Sequence, residues 1–180
     1  MRLSVGDLAP SIELNAIDGL SFASHSYAGK PYLISFYRFS SCPFCNLRLH
    51  ELLSRQSELG GDFELLAVFD ATLDDLKRDT GKHHAPFPIL ADEHRTYYKS
   101  YGIEFSWRGM FRGLIFRFPT LLKGMLKGYL PINMFKRGLV TMPADFLVDE
   151  KGIIRTAYYG SDEGDHLSFE QIQAFAKNHE

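Results

Sequence analysis

Short apolar runs alternate with stretches of helical periodicity along most of the chain. Residues 31–37, PYLISFY, are apolar and aromatic and predict a buried strand, followed by the loop RFSSCP. FCNLRLHELLSRQSEL places Phe44, Leu47, Leu49, Leu52, Leu53 and Leu59 on an apolar side and stops at Gly60-Gly61, which predicts a helix. FELLAVFDA, residues 63–71, predicts a second buried strand. TLDDLKRDTGK opens on Thr72, three residues before Asp75, a helix-start pattern. FPIL (87–90) predicts a short strand and DEHRTYYKSYG a helix ending near Gly102. ADFLVDEKGIIRTAYY reads as strand, turn at Glu150-Lys151-Gly152, and strand. Ser168 with Gln171 forms a capping box that opens the last helix.

Alternating strands and helices followed by a hairpin imply an α/β domain with a mixed central sheet and helices on both faces. The length, 180 residues, suits one domain over residues 1–180. Only residues 103–141 break the pattern, and about 104–138 read as an insertion too short to hold its own core. The insertion repeats itself: RGMFRGLI (108–115) matches KGMLKGYL (123–130). Turning about 100° per residue from the first basic residue, each unit has an apolar face, a basic edge and a bare glycine side. Pro119 should separate two short helices. Met110, Phe111, Leu114 and Ile115 are expected on one apolar face, and Met125, Leu126, Tyr129 and Leu130 on the other. Those faces are expected to cover a cleft beside the active site or a homo-oligomer interface, with an anionic membrane or acidic partner as the alternative.

Charge sharpens this picture. Residues 104–138 carry seven basic residues against Glu104 alone, a net of +6, leaving -8 for the rest of a chain whose total is -2. The molecule as a whole is therefore no polyanion binder, and no nucleic-acid partner is expected. MRLSVGDLAPSIEL lacks the apolar core of a secretory signal, and no run of 18 apolar residues exists. With only two cysteines, three apart, a structural disulfide framework is not expected, and a cytoplasmic setting fits.

Those two cysteines carry the chemistry. SSCPFC places Cys42 at a strand-to-helix junction and Cys45 in the first helical turn. A thiol there meets unpaired backbone N–H groups and the positive end of the helix dipole, and both favour the thiolate. Cys45 is placed to attack a mixed disulfide or sulfenic acid formed at Cys42. Pro43 suits a first helical turn, and Arg38, four residues upstream, can add positive potential. A zinc site is a competing reading, but His50 is the only further ligand in view and tetrahedral zinc needs two. Two inert core cysteines are the other competitor.

The segments VGDLAPSIEL, GKPYLISFYRFSSCPFCNLRLHEL, AVFD, FPILADEHRTYYKSYGI and MPADFLVDEKGIIR together resemble the peroxiredoxin-like branch of the thioredoxin superfamily, the alkyl hydroperoxide reductase/thiol-specific antioxidant group. The resemblance covers about residues 4–103 and 139–175. It implies a thioredoxin-like central sheet flanked by helices, with the reacting cysteine at Cys42. It matches Pro143 to the fold's cis-proline facing the active site, leaving the backbone of Met142 free to pair with an extended substrate segment. The sequence departs from the family where a hydroxyl residue usually stands three positions before the reacting cysteine and a proline seven before. Phe39 and Ser35 occupy those positions, and Ser40 or Ser41 would have to supply the hydroxyl.

The expected function is thiol-dependent peroxide reduction, with Cys42 as nucleophile, Cys45 as resolving thiol and an external thiol as reductant. The alternatives are general exchange with protein or glutathione disulfides and a redox-sensing binding protein that docks through the insertion. No metal, nucleotide, flavin or other cofactor is expected. DEGDH, with Asp162, Glu163, Asp165 and His166, reads as a solvated loop before the last helix rather than a hard-metal site.

Overall fold

The structure, a computed structural model, describes residues 1–132 and 138–179, without the side chains of Lys82 and Leu114. Lys136 and Arg137 of the basic insertion, and the Leu114 side chain expected on its apolar face, thus lie outside the described residues.

The elements in chain order are β1 (Glu13–Asn15), β2 (Ser21–Ala23), β3 (Tyr32–Tyr37), α1 (Pro43–Arg55), β4 (Glu64–Phe69), α2 (Leu73–Thr80), β5 (Ile89–Ala91), α3 (Thr96–Ser100), α4 (Trp107–Phe116), α5 (Phe118–Leu126), β6 (Ala144–Val148), β7 (Ile154–Tyr159) and α6 (Phe169–Lys177). Five strands form a thioredoxin-like mixed sheet in the order β5-β4-β3-β6-β7. β3 pairs parallel with β4 and antiparallel with β6, so it sits at the centre. The hairpin expected over residues 144–159 is β6–β7. The β1–β2 ladder was not expected: its strands are three residues each, too short to leave a periodic signal.

Central position explains why β3 is buried along its whole length. Leu33 and Tyr37 point into one core with Leu49 and Leu52 of α1 and Ile172 of α6. Ile34 and Phe36 point into a second core with Tyr98 of α3 and Tyr101. The end of β3 is thereby fixed from both sides, and the cysteine turn begins there.

Helix starts follow their sequence signals. The Thr72 hydroxyl accepts the Asp75 N–H, and Ser168 and Gln171 exchange both bonds of the capping box. The helix expected from residue 92 begins only at Thr96. The buried Asp92 carboxylate accepts N–H bonds from Thr96, Tyr97 and Tyr98 at 2.9, 2.8 and 3.1 Å, which holds it outside the helix as its cap.

In the insertion, α4 and α5 meet at Arg117, and Pro119 lies in the first turn of α5. Their orientation reverses the expected packing. The glycine sides face the domain: a Cβ on Gly109 would meet the Met142 sulfur at 2.4 Å, and one on Gly124 would meet Pro43 at 2.8 Å. Phe111, Ile115, Met125, Leu126 and Leu130 of the expected apolar faces are exposed instead. Bare glycine lets a helix backbone approach closely, so the flattest side of each helix is the side that docks.

Asp92→Ala should destabilise the protein by about 1–2 kcal/mol, since three N–H groups lose their acceptor. Urea unfolding followed by far-ultraviolet circular dichroism measures this. An unchanged midpoint would contradict the capping role.

Candidate active site

Cys42 is the residue that caps α1. Its backbone is extended (φ -63°, ψ 122°), Pro43 begins the helix, and the Asn46 N–H donates to its carbonyl at 3.0 Å. The N–H groups of Phe44 and Cys45 point at its sulfur, and the Cys45 thiol donates to it. Arg38 closes the other side: Nη1 donates to Cys42 Sγ at 3.8 Å. Both cysteines are free thiols with no exposed surface.

Burial pushes the Cys42 thiol up, but the Cys45 thiol, the Arg38 guanidinium and the two backbone N–H groups outweigh it and hold the group down at about 6. Cys45 moves the opposite way. Burial raises it well above the ordinary range, and donation to Cys42 holds its proton. The pair is therefore asymmetric: an anionic Cys42 facing a protonated Cys45.

Arg38 is itself held rigidly. Nε donates to the Thr141 carbonyl at 3.1 Å and Nη2 to the Leu139 carbonyl, while its backbone N–H meets Cys45 Sγ at 3.4 Å. Its direction, open in the sequence, is toward Cys42 because the chain returning from the insertion captures its other donors.

The remaining expected residues divide. Ser40 is buried, but its hydroxyl donates to Asp79 at 2.6 Å and so turns to α2 rather than to Cys42. Ser41 is buried in the same turn. Ser35 donates to the buried Asp145 at 2.5 Å inside the sheet. The Met142–Pro143 bond is trans, not cis. Nor is Met142 free to pair with an extended substrate: its N–H donates to the Glu104 carbonyl at 2.9 Å, beside a bridge from Phe105 to Thr141. The insertion's own first residues occupy that pairing edge, and α4 lies over the Met142 sulfur. Pro143 packs on Gly160, whose N–H donates to its carbonyl at 2.9 Å.

The DEGDH stretch is a wall of the site and not a solvated loop. Asp162 and Glu163 are buried. Arg117 binds Asp162 at 2.6 Å and lies 3.8 Å from Asp165, and His166 pairs with Asp145 at 3.0 Å. Glu163 Oε1 lies 3.9 Å from Arg38 Nη1, and its buried Oε2 has no hydrogen-bond partner among the described residues. Burial pushes its carboxyl up to about 7, against the pull of Arg38. Gly113 makes room for it: a Cβ there would stand 1.3 Å from Oε2. Sequence reasoning missed Glu163 because its counter-charge is far away along the chain; the paired glycines of the repeat were the trace it left.

Arg38 and Glu163 are the polar members of an otherwise apolar cavity of about 400 Å³, whose walls include Phe44, Trp107, Met110 and Leu121. The start of the cysteine helix and the insertion thus wall one small, mostly apolar cavity. Among the described residues no cluster of three His, Cys, Asp or Glu is arranged to hold a metal ion.

Titrating the reduced protein by thiolate absorbance at about 240 nm should show one group with a midpoint near pH 6. Arg38→Met removes the cation that favours the anion, so the midpoint should rise by about one unit. A native midpoint in the ordinary thiol range would contradict the assignment.

The sequence profile of the AhpC/TSA family matches residues 5–157. No curated protein sequence matches significantly. Solved structures share the fold: a thiol peroxidase from Chromobacterium violaceum has 18% identity and a TM-score of 0.68, covering 99% of this chain and 88% of that one. Peroxiredoxin Q from Xanthomonas campestris has 15% identity and a TM-score of 0.65 over 94% and 92%. The thioredoxin domain of a thiol-disulfide oxidoreductase from Bacteroides vulgatus has 19% identity and a TM-score of 0.61 over 97% and 99%. The profile match spans most of the chain and includes both cysteines, and the protein is therefore an oxidoreductase belonging to the AhpC/TSA family, with a thioredoxin-like redox fold.

Proposed function

We propose that the protein reduces a peroxide through Cys42. The observation that carries this reading is the asymmetric buried pair: a thiol held at about 6 by Arg38 and the helix start, beside one held well above the ordinary range. The Cys42 thiolate attacks one peroxide oxygen. The O–O bond breaks, the oxygen stays on sulfur as sulfenic acid, and the leaving oxygen takes a proton. Cys45 then attacks the sulfenic sulfur, water leaves, and a disulfide joins the two. An external dithiol restores the pair, itself becoming the oxidised partner.

Glu163 is the proton donor in this scheme. It lines a cavity with Arg38, whose Nη1 lies 3.9 Å from its Oε1 and donates to Cys42 Sγ, and with its carboxyl at about 7 it is largely protonated when Cys42 is already ionised. Its Oε2 is buried without a hydrogen-bond partner among the described residues, so no neighbour there competes for the carboxyl proton.

Exchange with protein disulfides is less well supported. Cys42 is buried, and the backbone edge at Met142 is already paired with Glu104. A small peroxide entering the cavity would meet Arg38, which touches Cys42 Sγ, whereas an extended peptide would have to displace the insertion from the Met142 edge. A reducing compartment such as the cytoplasm would keep the pair ready.

Cys45→Ser treated with one equivalent of hydrogen peroxide should accumulate sulfenic acid on Cys42, trappable by dimedone and mapped by peptide mass spectrometry. Trapping after Cys42→Ser, on Cys45, would reverse the roles. The rate of peroxide consumption should be bell-shaped in pH. Thiolate formation sets a rising limb near pH 6 and loss of the Glu163 proton a falling limb near pH 7. Glu163→Gln should abolish the falling limb and slow the reaction about 100-fold. A falling limb retained in that variant would remove Glu163 from proton transfer.

A further inference from the structure

The two insertion helices turn an apolar stripe away from the domain. On α4, Trp107, Phe111 and Ile115 are 60%, 56% and 69% exposed; on α5, Phe118, Leu122 and Leu126 are 57%, 48% and 81% exposed. Both triplets recur every four residues, so each lies along one side of its helix, opposite the docked glycines. Basic residues follow the apolar ones at a fixed step: Arg108 after Trp107, Arg112 after Phe111, Lys123 after Leu122 and Lys127 after Leu126. One residue turns a helix by about 100°, so these four charges border the stripes. All four are exposed and form no ion pair among the described residues.

We propose that this face docks the protein on an anionic lipid surface, with α4 and α5 lying in the headgroup region. Charge complementarity selects that occupant. A second copy meeting the same face would bring arginines and lysines against their own kind. An anionic bilayer neutralises them and lets their long stems reach past the buried apolar side chains. Aromatic and aliphatic side chains edged by Arg and Lys match helices that lie in an interface, and a fluid lipid surface needs no complementary groove. Two adjacent stripes of this kind exceed the scattered apolar exposure usual for a surface facing water alone. No helix among the described residues is long and apolar enough to cross a membrane, so the contact is peripheral. The surface stands whichever oxidant Cys42 takes, since none of the six stripe residues except Trp107 touches the cavity.

Trp107 is the protein's one tryptophan and sits in the stripe, so its fluorescence reads the contact directly. Mixing the reduced protein with phosphatidylglycerol–phosphatidylcholine vesicles should shift the emission to the blue, and brominated lipid should quench it. Pure phosphatidylcholine vesicles should give little change. Raising salt from about 0.05 to 0.5 M should weaken binding, because screening shortens the reach of the exposed charges. Arg108→Gln combined with Arg112→Gln should cut affinity about 30-fold. Phe111→Ser combined with Leu122→Ser should abolish binding while peroxide consumption and the 240 nm titration stay as in the native protein, showing that the fold is intact. No emission shift with anionic vesicles at low salt would overturn the proposal, as would equal binding to both vesicle types. Concentration-dependent dimerisation that buries Trp107 would assign the face to a second copy instead.

Discussion

Burying a charge is costly unless it is paired and hydrogen-bonded, and Cys42 is a buried charge. Its thiolate exists at neutral pH because the Arg38 guanidinium, the Cys45 thiol and the first N–H groups of α1 all converge on one sulfur. Removing one partner of a buried pair typically costs about 3–5 kcal/mol. The surrounding structure is arranged to keep these partners in place. β3, buried on both faces, fixes where Arg38 leaves the sheet, and Pro43 fixes where α1 begins. The carbonyls of Leu139 and Thr141 hold the guanidinium so that Nη1 faces Cys42.

The insertion completes this arrangement. Its returning end supplies those two carbonyls, its first residues pair with the Thr141–Met142 edge, and its glycines let α4 and α5 settle onto Met142, Glu163 and Pro43. Docking by the glycine side has two consequences. An apolar cavity forms beside the start of α1, walled by Pro43 and Phe44 on one side and Trp107, Met110 and Leu121 on the other, with Arg38 reaching from it to Cys42. The apolar and basic sides of the helices, having no place against the domain, face outward. Local propensity alone would not hold the glycine-rich helices, because each glycine costs about 1 kcal/mol in an exposed helix. Close approach to the domain offsets that cost.

What was legible in the sequence is what depends on near neighbours. The strand periods, the Thr72 and Ser168 caps, the hairpin at Glu150-Lys151-Gly152 and the placing of Cys42 and Cys45 at a helix start all follow from residues within a few positions of each other. The two insertion helices were readable from their repeat, but not which side would dock. An apolar face usually packs inward, and only the close fit at Gly109, Gly113 and Gly124 reveals the reverse. Glu163 was invisible because its burial depends on Arg38, more than a hundred residues away, and the loop's other acids depend on Arg117. The cis bond at Pro143 and the free edge at Met142 were carried over from resemblance; the bond is trans, and the insertion, which the resemblance does not cover, occupies the edge.

Access decides between the proposed peroxide chemistry and disulfide exchange: Cys42 has no exposed surface, which favours a small oxidant over a larger disulfide. The most direct test is intact-protein mass spectrometry of the reduced chain after one equivalent of hydrogen peroxide, set beside one equivalent of oxidised glutathione under the same conditions. Peroxide should remove two hydrogens, as Cys42 and Cys45 join, and oxidised glutathione should leave the mass largely unchanged. A glutathione adduct on Cys42, or a disulfide formed faster with oxidised glutathione while peroxide leaves both thiols intact, would contradict the proposed peroxide chemistry.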